Sequence, residues 1–245
     1  MLKFKLWKFV ACLAVLVAGA GRGEAASYKL SDLLPGGSMH SAGFVSGDKL
    51  FSDFRNFTNP GDNPVSAENI FLSDISRANP DFPNGPTPCG DPCPTEYGFR
   101  VSSAGFNIGQ NQNQSYGLDF TVTALGTCDI YAAGQVLTAH ATNGTADLDT
   151  TISSGMSTLA VLGTFVHDPV TGSDKTNERK IFPICVTTAD VTMGWVLQTN
   201  NVLGAESGIS HFDTYFAQAV PEPSTYALLV LGSAGVGLMV RRKRS

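Results

Sequence analysis

Apolar and polar residues alternate with period two at several places along the chain. Leu118, Phe120, Val122 and Ala124 alternate with Asp119, Thr121 and Thr123. Val191, Met193, Trp195 and Leu197 alternate with Thr192, Gly194 and Gln198, and Val196 interrupts the polar face. Phe212, Thr214 and Phe216 continue the pattern near the end of the chain. Side chains on a strand point alternately to its two faces, so this pattern predicts antiparallel strands with one face buried. Turn chemistry separates the runs at Asn59-Pro60-Gly61-Asp62, Asn84-Gly85-Pro86, Asn143-Gly144 and Thr171-Gly172-Ser173-Asp174. Helical period is confined to short stretches near Ser31–Leu34 and Ser66–Asn69. The expected fold class is all-β: an antiparallel β-sandwich body of roughly eight to eleven strands. A β-solenoid is the alternative, but the fixed-period repeat it needs is not visible.

The two ends read differently. Met1 to Ala25 begins with three lysines in eight residues and continues with an apolar run from Phe9 to Ala20. That run has the length of a signal-peptide core and is too short to span a bilayer. Gly23 and Ala25 are small residues at the −3 and −1 positions of a cut between Ala25 and Ala26 by signal peptidase. The expected organisation is therefore a cleaved signal peptide at 1–25, an exported body at 26–219 and a distinct segment at 220–245. An uncleaved anchor is the alternative.

Composition sharpens this division. The formal net charge is −5, but the basic residues cluster at the termini. Residues 26–220 hold 8 Lys and Arg against 19 Asp and Glu, a formal charge of −11. An acidic body is a poor partner for nucleic acid, which selects clustered Lys and Arg.

In the last segment, Tyr226 to Val240 gives 15 residues without a charge, or 17 with Ser224 and Thr225. That reaches the lower limit for a single transmembrane helix, expected at about 224–240. Arg241, Arg242, Lys243 and Arg244 then hold that end on the cytoplasmic side. Ser233 and Gly237 have the small-x-x-x-small spacing that permits close approach of another helix. Pro221 and Pro223 fix φ and keep the segment before the helix extended.

Val220, Pro221, Glu222 and Pro223, followed by an apolar helix and the basic tail 241–244, resemble a PEP-CTERM sorting signal. The resemblance implies processing by an exosortase, a membrane-embedded transpeptidase-like enzyme of bacteria that make exopolysaccharide. It implies membrane attachment through the C-terminal helix before processing, and a cell-surface or extracellular-matrix destination after it. It assigns no chemistry to the body. A second, shorter resemblance covers Leu33-Leu34-Pro35-Gly36-Gly37-Ser38 and Gly47-Asp48-Lys49-Leu50-Phe51-Ser52-Asp53-Phe54. It is similar to the opening of one group of uncharacterised PEP-CTERM bodies. Gly47-Asp48 reads as a turn, with Phe51 and Phe54 as core anchors; a ligand site at Asp48 and Lys49 is the alternative.

Export implies an oxidising compartment. Beyond Cys12, Cys89, Cys93, Cys128 and Cys185 remain, and four cysteines allow three pairings. The spacing favours Cys89–Cys93 as a local clip in a Pro- and Gly-rich loop and Cys128–Cys185 as a long-range staple. A metal site there is disfavoured, because Pro92 interrupts the Cys-x-x-x-Cys and no His is near.

Catalytic signatures are absent from the sequence. His40, His140, His167 and His211 lie in no metal-binding or catalytic motif, and no Gly-x-Ser-x-Gly elbow occurs. His167-Asp168 is one candidate contact. Asp147 and Asp149 share a strand face and could hold structural Ca²⁺ with loop oxygens, as could the acidic loop Asp168–Glu178; solvated acidic loops are the alternative. The tract Gln110–Gln114, with Tyr97 and Tyr116 as stacking partners, is a candidate for glycan contact. No cofactor is expected. The expected function is a non-catalytic structural or glycan-interacting envelope domain with exopolysaccharide as a partner. The alternative is a secreted polysaccharide hydrolase whose carboxylates converge only in the fold.

Overall fold

A computed structural model describes residues 26–83, 87–126, 128–168 and 174–221. The expected signal peptide, the expected membrane span and the basic tail lie outside these residues. No helix among the described residues is long and apolar enough to cross a membrane.

The body is an antiparallel two-sheet sandwich. The first sheet contains β1 (Ser27–Lys29), β4 (Phe71–Ala78), β6 (Thr95–Ser102), β9 (Asp129–Thr142), β12 (Asn177–Val186) and β14 (Glu206–Pro221). Its order is β1-β4-β6-β14-β9-β12, and two short strands, β5 (Gly90–Pro92) and β7 (Asn107–Ile108), also pair with β14. The second sheet runs β11 (Ser157–Asp168), β10 (Gly144–Ser154), β13 (Thr188–Thr199), β8 (Asn113–Ala124), β3 (Lys49–Thr58) and β2 (Phe44–Ser46). The sheets have 8 and 6 strands, more than the sequence reading expects, because β1, β5 and β7 are too short to show an alternation of their own. Among the described residues, helical structure is a single turn, α1 (Leu30–Leu33), and a 3-10 turn at Ala67–Asn69, close to where the sequence places it.

The alternating runs behave as expected. Leu118, Phe120 and Val122 are buried, as are Val191, Met193, Trp195 and Leu197. Phe44, Phe51, Phe54, Phe99 and Phe120 form the aromatic centre, with Phe51 also 5.8 Å from Phe216. Each such ring removed from water contributes about 1.5–3 kcal/mol.

Phe51 and Phe54 pose a geometric problem, since three residues apart on a regular strand they would face opposite sides. The register shifts between Ser52 and Arg55, and Asp53 takes a left-handed φ of 53°. This bulge adds a residue and turns both rings inward. Gly47 and Asp48 make the two-residue turn between β2 and β3, with Gly47 at φ 57° as such a turn requires.

Where the free edges of β11 and β12 meet, side chain and loop satisfy exposed backbone groups. Glu178 Oε2 accepts from Gly163 N–H, and Phe165 exchanges two backbone hydrogen bonds with Lys175, at 2.7 and 3.0 Å. An edge closed in this way is a poor template for pairing with another chain.

Candidate functional site

Two regions carry functional interest, and they lie at opposite ends of the first sheet. The first is the point where β14 leaves the sandwich. β14 is 16 residues long and ends at Pro221, inside the segment that resembles a sorting signal. Ala219, Val220 and Pro221 pair with Pro92, Asp91 and Gly90 of β5, and Ala219 pairs on its other side with Asp129 of β9. The backbone of Val220 and Pro221 is thus part of the folded sheet. Glu222, Pro223 and the tail Arg241, Arg242, Lys243 and Arg244 lie outside the described residues, as does Ala25; Ala26 is exposed at the start.

Around residues 79–83 and 87–94, Asn79, Asp81 and Cys89 pack on the sheet at this end. Tyr131, Ala132, Ala217 and Ala219 form a small buried cluster there, with Cys89 and Cys185 packed against them. Asn79 Nδ2 donates to Cys93 O at 2.7 Å and to the Tyr131 hydroxyl at 3.0 Å. The Tyr131 hydroxyl donates to Asp81 at 2.9 Å. Burial pushes the Tyr131 phenol up to about 12, so it stays a neutral donor at physiological pH.

The cysteine pairing differs from the expected one. Cys89 is bonded to Cys185, 96 residues away, with Cα atoms 6.0 Å apart. Cys93 and Cys128 face each other with sulfurs 3.8 Å apart and are unbonded. The local Cys89–Cys93 clip fails because Gly90–Pro92 between them is strand β5. A strand carries its first and last flanking residues away from each other.

A buried polar network supports the same region. Glu96, 1% exposed, is bound by Arg77 Nε at 2.6 Å and Arg179 Nη2 at 2.9 Å. Arg179 also reaches Asp81 at 2.6 Å, and Arg77 stacks 4.2 Å above the Tyr215 ring. Gly134 leaves the room for this, since a Cβ there would stand 2.7 Å from Arg77 Nη2.

Lys49 and Asp48, the alternative ligand site, form an ion pair with each other. Lys49 is fully buried and its ammonium is held 2.6 Å from Asp48. Burial lowers the Lys49 pKa, and the Asp48 carboxylate opposes that shift.

The second region is a groove of about 550 Å³ lined by Asn63, Pro64, Val65, Ser66, Asn69, Phe71, Ser103, Ala104 and Gly105. Phe71 begins β4 and Ala78 ends it, so the groove lies roughly 24 Å from the exit of β14. Phe71 is 39% exposed and no lining residue is charged. Residues deeper in the body hold the groove wall. Gln114 donates to Asn63 O, and Tyr116 accepts from Val65 N–H at 3.4 Å. Tyr116 is therefore not a surface stacking partner: it is 3% exposed and stacked 5.0 Å from Trp195. Within the Gln110–Gln114 tract, Gln110, Asn111 and Asn113 are exposed and Gln114 is buried. The aromatic of the groove, Phe71, escaped the sequence reading because it opens a strand and looks like a core residue.

The remaining candidates are dispersed. His167 Nε2 lies 2.6 Å from Asp147, across the β10–β11 hairpin, and not against its neighbour Asp168. Asp168 instead accepts from Asn143 N–H at 2.9 Å. Asp149 is exposed on the same face as Asp147; burial, then Asp147 and Glu178, raise its pKa. Glu178 is drawn below the usual range: burial alone would raise it, but Lys175, the Gly163 N–H and Lys180 outweigh that. His40 Nδ1 contacts Leu33 O at 3.1 Å and His211 Nε2 contacts Thr138 at 3.1 Å. Among the described residues, no three His, Cys, Asp or Glu side chains converge as metal ligands.

No curated protein matches the chain. Among solved structures it is similar to TmCBM61 in complex with β-1,4-galactotriose, at 16% identity and a TM-score of 0.29, covering 64% of this chain and 86% of that one. A likeness to the enzymatically active domain of bacteriophage CBA120 tailspike protein 4 has 11% identity and a TM-score of 0.23, covering 64% of this chain and 19% of that one. A third, to carbohydrate-binding modules of the β-sandwich superfamily, has 11% identity and a TM-score of 0.21, covering 65% and 54% of the two chains. At such scores these likenesses transfer neither ligand nor activity. The family model of the PEP-CTERM protein-sorting motif matches residues 219–244, which begin within the last turn of pairing between β14, β5 and β9. The chain therefore carries a PEP-CTERM protein-sorting motif, the mark of an exported protein handled by an exosortase at the membrane.

Proposed function

We propose that this is a cell-envelope or extracellular-matrix protein whose body is a non-catalytic display domain for contact with neutral glycan. The observation that carries the reading is the placement of the sorting motif. It continues the central strand of the sandwich, and the uncharged groove with its exposed Phe71 lies at the far end of the same sheet. Membrane processing then acts at one end while the other is left open to solvent. A neutral groove with amide and hydroxyl groups and one exposed ring suits a sugar, whose hydroxyls need partners and whose C–H face needs an apolar surface.

Two experiments test this. A glycan array and pull-down with residues 26–219 is expected to find a neutral polysaccharide, and Phe71→Ala to weaken its binding about tenfold, ~1.4 kcal/mol. Binding unchanged in Phe71→Ala would exclude the groove. For the sorting reading, Glu222→Gln or deletion of Arg241–Arg244 is expected to leave the protein uncut in the membrane of a host with the exosortase. The mass of the released form checks this, and an unchanged mass would contradict it.

A hydrolase needs two carboxylates converging in a cleft. Asp149 and Glu178 do have opposite pKa shifts, but Asp149 is exposed on an outer strand face and Glu178 is engaged by Lys175, Lys180 and the Gly163 amide. The binding reading fits that arrangement better.

A further inference from the structure

Strand β5 is only three residues long, and a cysteine stands immediately on each side of it. Cys89 is cross-linked to Cys185 in β12. Cys93 follows Pro92, and Cys128 precedes Asp129. Pro92 and Asp129 are the residues that pair with Ala219 from its two sides. Cys93 and Cys128 therefore meet, sulfurs 3.8 Å apart, at the place where the strand bearing the sorting motif leaves the sheet. The backbone holds this approach in place, since Cys93 N–H donates to Gln218 O at 2.8 Å and Asn79 binds Cys93 O.

We propose that Cys93 and Cys128 are joined in a second disulfide in the exported protein, so that β5 is cross-linked at both ends and clamps the root of the sorting motif. The clamp rests on the reading of residues 219–244 as a processed signal; the cross-link itself rests on the geometry. Burial, and then the adjacent Cys128 thiol, push the Cys93 thiol up to about 12. Two thiols held this close oppose each other's ionisation, so both rest as neutral S–H groups, and their approach is what carries the cross-link. The step is thiol–disulfide exchange with a protein disulfide donor of the export compartment. A first cysteine sulfur attacks the donor and forms a mixed disulfide; the second displaces the donor's sulfur. Two S–H bonds are lost and one S–S bond forms, while the donor disulfide takes up two electrons and two protons to become a dithiol.

The consequence is directional. A three-residue strand has little pairing energy of its own and would fray. Fixed at both ends, it keeps Ala219–Pro221 in the sheet and presents the segment after Pro221 to the sorting enzyme.

The test uses the full chain, exported to an oxidising compartment of a host without exosortase and solubilised in mild detergent. Iodoacetamide treatment after denaturation, without reductant, is expected to add no mass to the four body cysteines. Peptide mapping is expected to recover Cys93 joined to Cys128. Labelling at both Cys93 and Cys128 would overturn the cross-link, and this measurement needs no variant. The clamp is read by amide exchange of the peptide ending at Val220, expected to quicken about tenfold in Cys93→Ser/Cys128→Ser. A mapped cross-link with unchanged exchange in the variant would overturn the clamp. Neither readout requires the sorting enzyme, so failure here is distinguishable from failure of the sorting reading.

Discussion

Loss of the Cys89–Cys185 cross-link is expected to destabilise the exported body by about 4.7 kcal/mol, the value for closing a loop of this size in the unfolded chain. The two cysteines are 96 residues apart, and Cys89 belongs to a Pro- and Gly-rich loop with few apolar anchors of its own. The bond also keeps that loop over Tyr131, Ala132, Ala217 and Ala219. Its removal therefore releases entropy in the unfolded chain and exposes a small apolar cluster in the folded one. In Cys89→Ser/Cys185→Ser, the urea midpoint of residues 26–221 is expected to fall accordingly, with a drop in Tm of roughly 10 °C. A change below about 1 kcal/mol would mean that the hydrogen bonds through Asn79 and Asp81 hold the loop without the cross-link.

Glu96→Ala is expected to cost a similar amount, about 3–5 kcal/mol, for a different reason. Glu96 is almost fully buried between two guanidinium groups, and its removal leaves Arg77 and Arg179 facing each other with only Asp81 to balance them. Arginine cannot shed its proton to relieve this, and Arg179 is held above even its usual range: burial opposes the charge, but Glu96 and Asp81 outweigh it. The informative comparison is Arg77→Met/Glu96→Leu/Arg179→Met. Replacing the whole network by apolar groups is expected to be far milder than removing its centre, because no uncompensated charge remains. Equal losses in the two variants, measured by urea denaturation, would show that shape at this site matters more than charge.

The cross-link starts in the segment that packs over the root of β14, and the Glu96 network on β4, β6 and β12 supports it from below; that segment shows the limits of reading a linear sequence. The count of four exported cysteines was legible, and so was the membership of Cys89 and Cys93 in a Pro- and Gly-rich loop. The pairing was not. Nearness in sequence favours Cys89–Cys93, but β5 forms between them only because the far end of the chain supplies its partner at Ala219–Pro221. Phe51 and Phe54 are a second instance. Both could be read as core residues from their type, but their spacing contradicts a regular strand, and the bulge at Asp53 resolves it.

The groove shows the same division. Exposed amides in the Gln110–Gln114 tract were visible in the sequence, yet Gln114 and Tyr116 turn inward to support the wall, and the exposed ring is Phe71. Burial of a given aromatic depends on what packs over it, and that is settled by strands distant in sequence.

The sequence alone determined the sheet character of the body, from the two-residue period of its apolar positions, and the identity of the tail, from three features in contiguous order. Both are local properties, written in neighbouring residues and therefore readable there. Only the tertiary structure decided which cysteines meet, which aromatic faces solvent, and that the sorting motif starts inside the sheet. Those outcomes depend on contacts between residues tens to more than a hundred positions apart, such as Arg100 with Asp213 or Asp48 with Gln218, and only the packing of two sheets brings such residues together.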